Sequence, residues 1–128
     1  MAQSLNSTVD YTSAATSYHG LATYGNVMVG NAAFEFYNER NPEDYIQIPW
    51  SEIRYVAASV MFKGKTIPRF AIFTTLGDTP FSFSTRDNKA VLRAMRTYLG
   101  DEKLVRSLSF LEVLKEGVKG LVGRAAKR

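Results

Sequence analysis

The residues that could support catalysis are few, and their spacing does not form a reaction centre. The chain of 128 residues contains one histidine and no cysteine, which excludes disulfides and thiolate metal sites. A phosphoryl relay through His19 would need an orienting carboxylate and oxyanion donors. The neighbouring residues in TSYHGL supply neither. We therefore interpret His19 as a residue of a strand surface or of the edge of the core.

The acidic residues of the central region do not form a catalytic or metal-binding site either. Glu35, Glu39, Glu43 and Asp44 could suggest paired carboxylates, but no histidine or cysteine accompanies them. We interpret them as strand ends and a solvated loop. The isolated glycines form no phosphate-binding or dinucleotide-binding fingerprint. The sequence therefore predicts no enzyme activity, no metal, no cofactor and no small-molecule substrate.

Composition predicts a globular protein of one domain. Hydrophobic residues make up 45% of the chain and charged residues 22%, values typical of globular proteins. No run of about 18 apolar residues is present, as a membrane-spanning helix would require. The beginning of the chain has no basic start followed by an apolar run, so we expect no signal peptide and a cytoplasmic location.

Residues 13–84 predict about seven short strands. Hairpin signals lie at Gly30-Asn31 and at 63–65, and a polar loop lies at 39–44. A strand that ends in Pro49 is followed by a turn at 50–52. The predicted strands cover 16–23, 26–30, 32–37, 45–49, 54–62, 69–75 and 79–85. The period then changes to that of a helix over 87–99, with Asp87 as the N-cap and Gly100 as the stop. The fold class is mainly β, a small closed or nearly closed antiparallel barrel capped by this helix.

The end of the chain predicts a basic amphipathic helix. Apolar residues share one broad face of a helical wheel, namely Leu104, Leu108, Leu111, Leu114, Val118, Leu121 and Val122, with Phe110 at its edge. Residues 1–102 hold nine Lys/Arg against ten Asp/Glu, whereas residues 103–128 hold seven against two. We divide the chain into an N-terminal extension (1–12), the barrel with its helix (13–100) and this C-terminal helix (101–128).

Several sequence stretches resemble a known family. AFEFYNERN (33–41), DYIQIPW (44–50), VMFKGKTIPRFAI (60–72) and VRSLSF (105–110) are similar to stretches of the ManO-like family. These are small proteins of unknown function encoded beside mannose-family phosphotransferase (PTS) sugar transporters in Gram-positive bacteria. The resemblance covers residues 3–120. It implies a pleckstrin-homology or GRAM-like barrel and a role in regulating, or associating with, the membrane transporter.

Two regions are candidates for partner binding. The hairpin residues Lys63, Lys65 and Arg69 form a basic cluster, which could hold lipid headgroups or an acidic protein loop, or could simply be a solvated turn. The candidates in the C-terminal helix (101–128), which we also call the tail, are Arg106, Phe110, Leu111, Leu114, Lys115, Val118, Lys119, Leu121, Val122 and Arg124. This helix could pack on the barrel, on a transporter subunit or on a membrane. We expect the single tryptophan, Trp50, to cap the core with its indole N–H bonded.

These observations favour a non-catalytic accessory protein. The expected partners are the membrane subunits (IIC/IID) of a mannose-family PTS transporter, bound at the inner face of the cell membrane so that sugar uptake is modulated. The alternative is a peripheral membrane protein that binds anionic lipid headgroups through the basic hairpin and the C-terminal helix. Nucleic-acid binding is disfavoured because the basic residues are not interleaved with stacking aromatic residues.

Overall fold

One eight-stranded sheet and one α-helix account for most of the residues that the structure describes. It is a computed structural model, described here for residues 3–62 and 65–108, without the side chains of residues 107 and 108. The strand order is β4-β3-β2-β1-β7-β6-β5-β8. The elements are β1 (Val9–Ser17), β2 (Thr23–Gly30), β3 (Ala33–Asn38), β4 (Tyr45–Pro49), β5 (Ile53–Met61), β6 (Thr66–Thr74), β7 (Phe81–Thr85), α1 (Asn88–Leu99) and β8 (Leu104–Leu108).

Strands β1 to β4 form an antiparallel meander whose turns follow the predicted signals. The β2–β3 connection falls at Asn31-Ala32, and the polar loop at 39–44 joins β3 to β4. The first strand was predicted wrongly. The segment 16–23 is divided between the end of β1, a turn and the start of β2, because Gly20 adopts a left-handed φ of 79° within the turn. The β-branched and alternating residues that form β1 begin seven positions earlier, at Val9.

The second half of the sheet contains the main departure from the predicted topology. Strands β5, β6 and β7 are antiparallel neighbours, but β8 pairs with β5 in parallel, Val56 opposite Leu104. The prediction of a helix that includes Leu104 and Leu108 is therefore wrong at these positions. Their four-residue spacing fits a helix, but it also fits a strand, where residues two apart share a face. Leu104 packs against the core from β8, so tertiary context decides in favour of the strand.

The sheet is open, which corrects the expectation of a closed barrel. Among the described residues, the hydrogen-bonded ladder ends at β4 on one edge and at β8 on the other. The core lies on one face of the coiled sheet and includes three packed phenylalanines, Phe34, Phe70 and Phe83, with ring centroids 4.9 to 6.1 Å apart. The antiparallel, mainly β character is confirmed for β1–β7.

Helix α1 closes over this core as its spacing predicts. Val91, Leu92, Met95 and Leu99 are buried in it. The Asp87 carboxylate accepts a hydrogen bond from the Ala90 N–H at 3.1 Å, which satisfies an otherwise free amide of the first turn. Gly100 ends the helix with a φ of 77°. The predicted helix over 87–99 is therefore confirmed, with Asp87 as the N-cap and Asn88 as the first helical residue.

Two polar contacts fix the ends of α1 on the sheet. Asn88 is buried at the start, where its Nδ2 donates to the Ile67 carbonyl at 2.6 Å and its Oδ1 accepts from the Thr85 N–H at 2.8 Å. After the helix, Lys103 Nζ donates to the Ile53 carbonyl at 3.0 Å. The outward face of α1 therefore has a defined position relative to β5, β6 and β7.

Residues 3–8, which precede β1, lie across the outer face of β2, β3 and β4. We call them the N-terminal segment. Its centre is Asn6, whose Oδ1 accepts from the N–H groups of Ala32 and Ala33 at 2.7 and 2.8 Å and whose Nδ2 donates to the Ala33 carbonyl at 3.1 Å. The segment passes so close to Gly30 that a Cβ there would lie 2.4 Å from the Thr8 oxygen. Only glycine allows this approach.

The N-terminal segment covers a charged side chain, Glu35, which is 0% exposed. Its carboxylate accepts hydrogen bonds from Ser4 Oγ at 2.6 Å, the Leu5 N–H at 2.7 Å and Asn6 Nδ2 at 3.2 Å. Three donors compensate for the water that the carboxylate loses on burial. Glu35 is therefore neither a strand end nor a loop residue, and that interpretation of the sequence is wrong for it.

Candidate interaction surface

The outward face of α1 contains three basic residues and no acidic residue. Lys89, Arg93 and Arg96 are exposed and follow one another at intervals of four and three residues, which places them on one side of a helix. No acidic residue lies between Asn88 and Leu99. The three cationic groups therefore form a stripe that extends along about 10 Å of helix.

The β5–β6 hairpin continues this stripe. Lys89 Nζ donates to the Lys65 carbonyl at 2.7 Å, and the Lys65 N–H donates to the Phe62 carbonyl at 3.2 Å. The exposed side chain of Lys65 therefore begins close to the start of α1. We define the basic surface as Lys65, Lys89, Arg93 and Arg96.

The cationic groups of the basic surface have few ionic partners among the described residues. Arg96 lies 3.6 Å from Asp101, and both side chains are exposed to water, so this ion pair contributes little to stability. Within the described part of the chain, the Arg93 side chain has no hydrogen bond or ion pair. Cationic groups arranged in this way attract anionic partners from a distance and can form hydrogen bonds with them at short range.

The structure separates the other described residues of the predicted sites from this surface. The guanidinium of Arg69 lies 4.7 Å from the ring centroid of Tyr18, in a cation–π contact. Arg106 is exposed on the edge strand β8, opposite Ala58 on β5. Among the described residues, neither arginine forms an ion pair with an acidic side chain. Of the predicted site residues that the structure describes, Lys65 alone therefore belongs to the basic surface.

The remaining predicted site residues lie outside the described residues. They are Lys63 of the hairpin and, from the tail, Phe110, Leu111, Leu114, Lys115, Val118, Lys119, Leu121, Val122 and Arg124. Their binding role stays a prediction from the sequence.

The charge balance of long stretches of the chain does not reveal the basic face of α1. Residues 1–102 are close to neutral in sum, yet folding places three cationic side chains on one helix face. The signal was present in the sequence, since the helix 87–99 was predicted and its charged positions 89, 93 and 96 share one face.

His19 and Trp50 take part in packing. The His19 ring stacks on Phe81 with centroids 4.6 Å apart. Trp50 Nε1 donates to the Gly30 carbonyl at 2.9 Å, and its indole stacks on Tyr98 with centroids 5.0 Å apart. The expectation that Trp50 caps the core with its N–H bonded is confirmed.

Two tyrosines have perturbed acidity. The Tyr98 hydroxyl donates to the Asp10 carboxylate, and this hydrogen bond raises the pKa of Tyr98 above its ordinary value. Burial raises the pKa of Tyr37, and the nearby Glu35 charge adds to the effect, whereas the hydrogen bond from Gln47 opposes it. Both groups link elements of the fold, Tyr98 to β1 and Tyr37 to β4.

The basic surface is a candidate binding surface. Within residues 3–62 and 65–108, no group of three His, Asp or Glu side chains is placed to hold a metal ion. In the same residues, no helix is long and apolar enough to cross a membrane. The basic surface offers charge and hydrogen-bond donors to an anionic partner.

Comparison with protein families identifies the family of this chain. A family model described as "Domain of unknown function (DUF956)" matches residues 1–118. The chain belongs to this family. The match includes β1–β8, α1 and the basic surface, and the description assigns no activity to the DUF956 family.

Structural comparison concerns the fold alone. A crystal structure of the C-terminal domain of an unknown protein from Leishmania infantum is similar, with a TM-score of 0.61 and 16% sequence identity. The similarity covers 72% of this chain and 84% of that domain. The comparison with curated proteins gave no match.

Proposed function

We propose that this DUF956 protein is a non-catalytic accessory protein that binds the cytosolic face of a mannose-family PTS transporter and modulates sugar uptake. The observation that carries the proposal is the exposed stripe of Lys89, Arg93 and Arg96, on a helix that has no acidic residue. The partner follows from the sequence resemblance to ManO-like proteins, which are encoded beside such transporters. On this proposal the protein lies in the cytoplasm, peripheral to the membrane subunits IIC and IID.

The fold supports a binding role. We propose that it is a pleckstrin-homology or GRAM-like sheet, with two antiparallel meanders, β1–β4 and β5–β7, followed by a helix that covers the core. A rigid sheet with a charged helix on its surface suits recognition, because the side chains that make contact are positioned before the partner arrives. In this protein Asn88 and Asp87 fix the start of the helix, so the backbone positions from which the basic side chains extend are fixed in advance.

The experiment is co-purification of the full chain with the detergent-solubilised transporter. Arg93→Glu and the double variant Lys89→Glu/Arg93→Glu reverse charges on the basic surface. Arg54→Glu is the matched control, because Arg54 is also exposed but lies at the start of β5, beside Tyr55. We expect the wild type and the control to be retained and the double variant to be lost. Equal retention of all four proteins would contradict the proposed surface.

The contribution of the tail needs a separate variant. A chain shortened after Gly100 would lose β8 and leave the edge of β5 unpaired. A chain ending at Leu108 keeps every described strand. If the tail also binds the transporter, this shorter chain is retained less well than the full chain; equal retention would place the whole contact on residues 1–108.

A second candidate function is binding to anionic lipid headgroups. The observation that favours it is Phe62, which is 66% exposed at the turn of the basic hairpin. An aromatic side chain next to cationic groups suits the membrane interface. Flotation with phosphatidylglycerol vesicles, and with phosphatidylcholine vesicles as the neutral control, separates the two functions. Strong binding to anionic vesicles without the transporter, lost in Phe62→Ser, would favour the lipid function.

A further inference from the structure

The β1–β2 hairpin carries a cluster of exposed apolar side chains. Leu21 is 90% exposed at the turn, Tyr24 is 64% exposed at the start of β2, and Tyr18 is 38% exposed at the end of β1. We call these three residues the apolar corner. Single exposed apolar residues are common on protein surfaces, whereas apolar residues grouped on one hairpin are a candidate interaction site. Leucine at a water-exposed turn adds nothing to the core of this fold.

A concave surface adjoins the apolar corner. A depression of about 580 Å³ lies between the hairpin and the β3–β4 loop, lined by Leu21, Tyr24, Asn38 and Glu39 among others. The Glu39 N–H donates to the Tyr24 carbonyl at 3.1 Å, and Asn38 Nδ2 donates to Asp44 Oδ2 at 3.0 Å. The first bond joins the hairpin to the loop and the second closes the loop itself, so the site is formed before a partner binds.

The charge beside the apolar corner decides the class of partner. Two carboxylates, Glu39 and Asp44, and one cationic residue, Arg40, line the depression beside Leu21 and Tyr24. A second cationic residue, Arg69, lies over the ring of Tyr18. Negative charge at this position opposes contact with an anionic membrane surface. Leucine and tyrosine next to carboxylates instead complement a protein surface that has an apolar socket with basic residues around it. Tyrosine is also enriched among residues that dominate protein–protein binding.

We propose that the apolar corner is a second docking site, at which Leu21 inserts into an apolar socket with a basic rim on the cytosolic surface of the transporter. The inference rests on the proposed function, and it extends it from one contact to two. The basic surface contacts an acidic region, and the apolar corner contacts a basic one. Because the two surfaces have opposite charge, they fix the orientation in which the protein binds.

Leu21→Ser tests the second contact with little risk to folding. The side chain is almost fully exposed, so its replacement removes no core packing. Leu76→Ser is the matched control, because Leu76 is 60% exposed in another connection, between β6 and β7, and does not line the depression. Affinity for the detergent-solubilised transporter is measured for the full chain and for both variants. We expect Leu21→Ser to weaken binding about tenfold, as for a residue central to an interface.

The outcomes separate this inference from the proposed function. Loss of binding by Leu21→Ser, with wild-type binding by Leu76→Ser, supports the second contact, and further weakening by Glu39→Lys would support the basic rim. Equal affinity of the Leu21 and Leu76 variants would overturn the inference and leave the basic surface intact. Failure of the wild type to bind the transporter would overturn both. Binding of the wild type to phosphatidylglycerol vesicles that Leu21→Ser abolishes would assign the apolar corner to lipid and overturn the protein socket.

Discussion

Among the described residues, charged side chains are buried and hydrogen-bonded in one region of this molecule and exposed without a partner in another. Under the N-terminal segment, the Glu35 carboxylate is fully buried and accepts three hydrogen bonds. On the outer face of α1, Arg93 is exposed and, within the described residues, has no partner. A buried charge must be compensated inside the protein, whereas an exposed charge is compensated by water and remains available to a ligand. The comparison distinguishes charged groups that stabilise the fold from charged groups that are available to bind a partner.

The sharpest test of this comparison is Glu35→Ala. We expect the free energy of unfolding to fall by about 3 kcal/mol, because Ser4, Leu5 and Asn6 lose their shared acceptor and a small cavity forms. Glu39→Ala, an exposed carboxylate of the same region, is the control and should change stability by less than about 0.5 kcal/mol. Urea denaturation followed by tryptophan fluorescence measures both. Equal stability of the two variants would mean that Glu35 does not organise the N-terminal segment.

The next largest effect is expected for Asn6→Ala. Its amide connects the N-terminal segment to Ala32 and Ala33 through three hydrogen bonds, and their loss should cost about 2 kcal/mol. Asn26→Ala provides the comparison, since Asn26 is exposed on β2 and its side chain has no hydrogen bond among the described residues. Hydrogen exchange of the Ala32 and Ala33 amides should accelerate in Asn6→Ala alone. Unchanged exchange at both amides would show that the segment is not held through Asn6.

A smaller effect is expected from alkaline pH. The raised pKa values of Tyr98 and Tyr37 mean that the folded protein keeps protons that the unfolded chain releases near pH 10. Stability is therefore expected to fall as pH rises past about 10 and through the folded-state pKa values. The double variant Tyr37→Phe/Tyr98→Phe should show a shallower fall in stability above pH ~10 in the same denaturation assay. An identical pH dependence of the two proteins would refute this linkage.

The smallest effect is expected for Arg93→Ala, whose stability should remain within about 0.5 kcal/mol of the wild type. The side chain is exposed, and alanine is at least as good a helix former as arginine. Thermal unfolding measures the difference. A loss above about 1 kcal/mol would show that Arg93 serves the fold, and the contrast with Glu35 would no longer hold.

Local signals allowed much of the fold to be predicted from the sequence. The strand Tyr45–Pro49, the turn at Trp50–Glu52 and the helix with Asp87 and Gly100 at its ends follow from turn and capping chemistry. The strand β8 could not be predicted in this way, because its partner β5 lies far away in the chain. Leu104 adopts a strand because β5 offers an edge, which no local pattern contains.

The sites were harder to predict than the fold. Glu35 lies in AFEFYN, where the alternation of buried and exposed residues fails, and only the N-terminal segment explains why. The apolar corner was missed because the segment 16–23 was interpreted as one strand, which hid the turn that exposes Leu21. Both sites depend on contacts between segments that lie apart in sequence, such as Glu39 with Tyr24.

The central claim is that the outer face of α1 binds the transporter, and the most direct measurement is co-purification of the Lys89→Glu/Arg93→Glu variant with the detergent-solubilised complex. Circular dichroism first confirms that the variant has the wild-type fold, as the exposure of both side chains predicts. The account predicts that the wild type and Arg54→Glu elute with the transporter and that the double variant does not. Elution of the folded double variant with the transporter, at the wild-type level, would contradict the account.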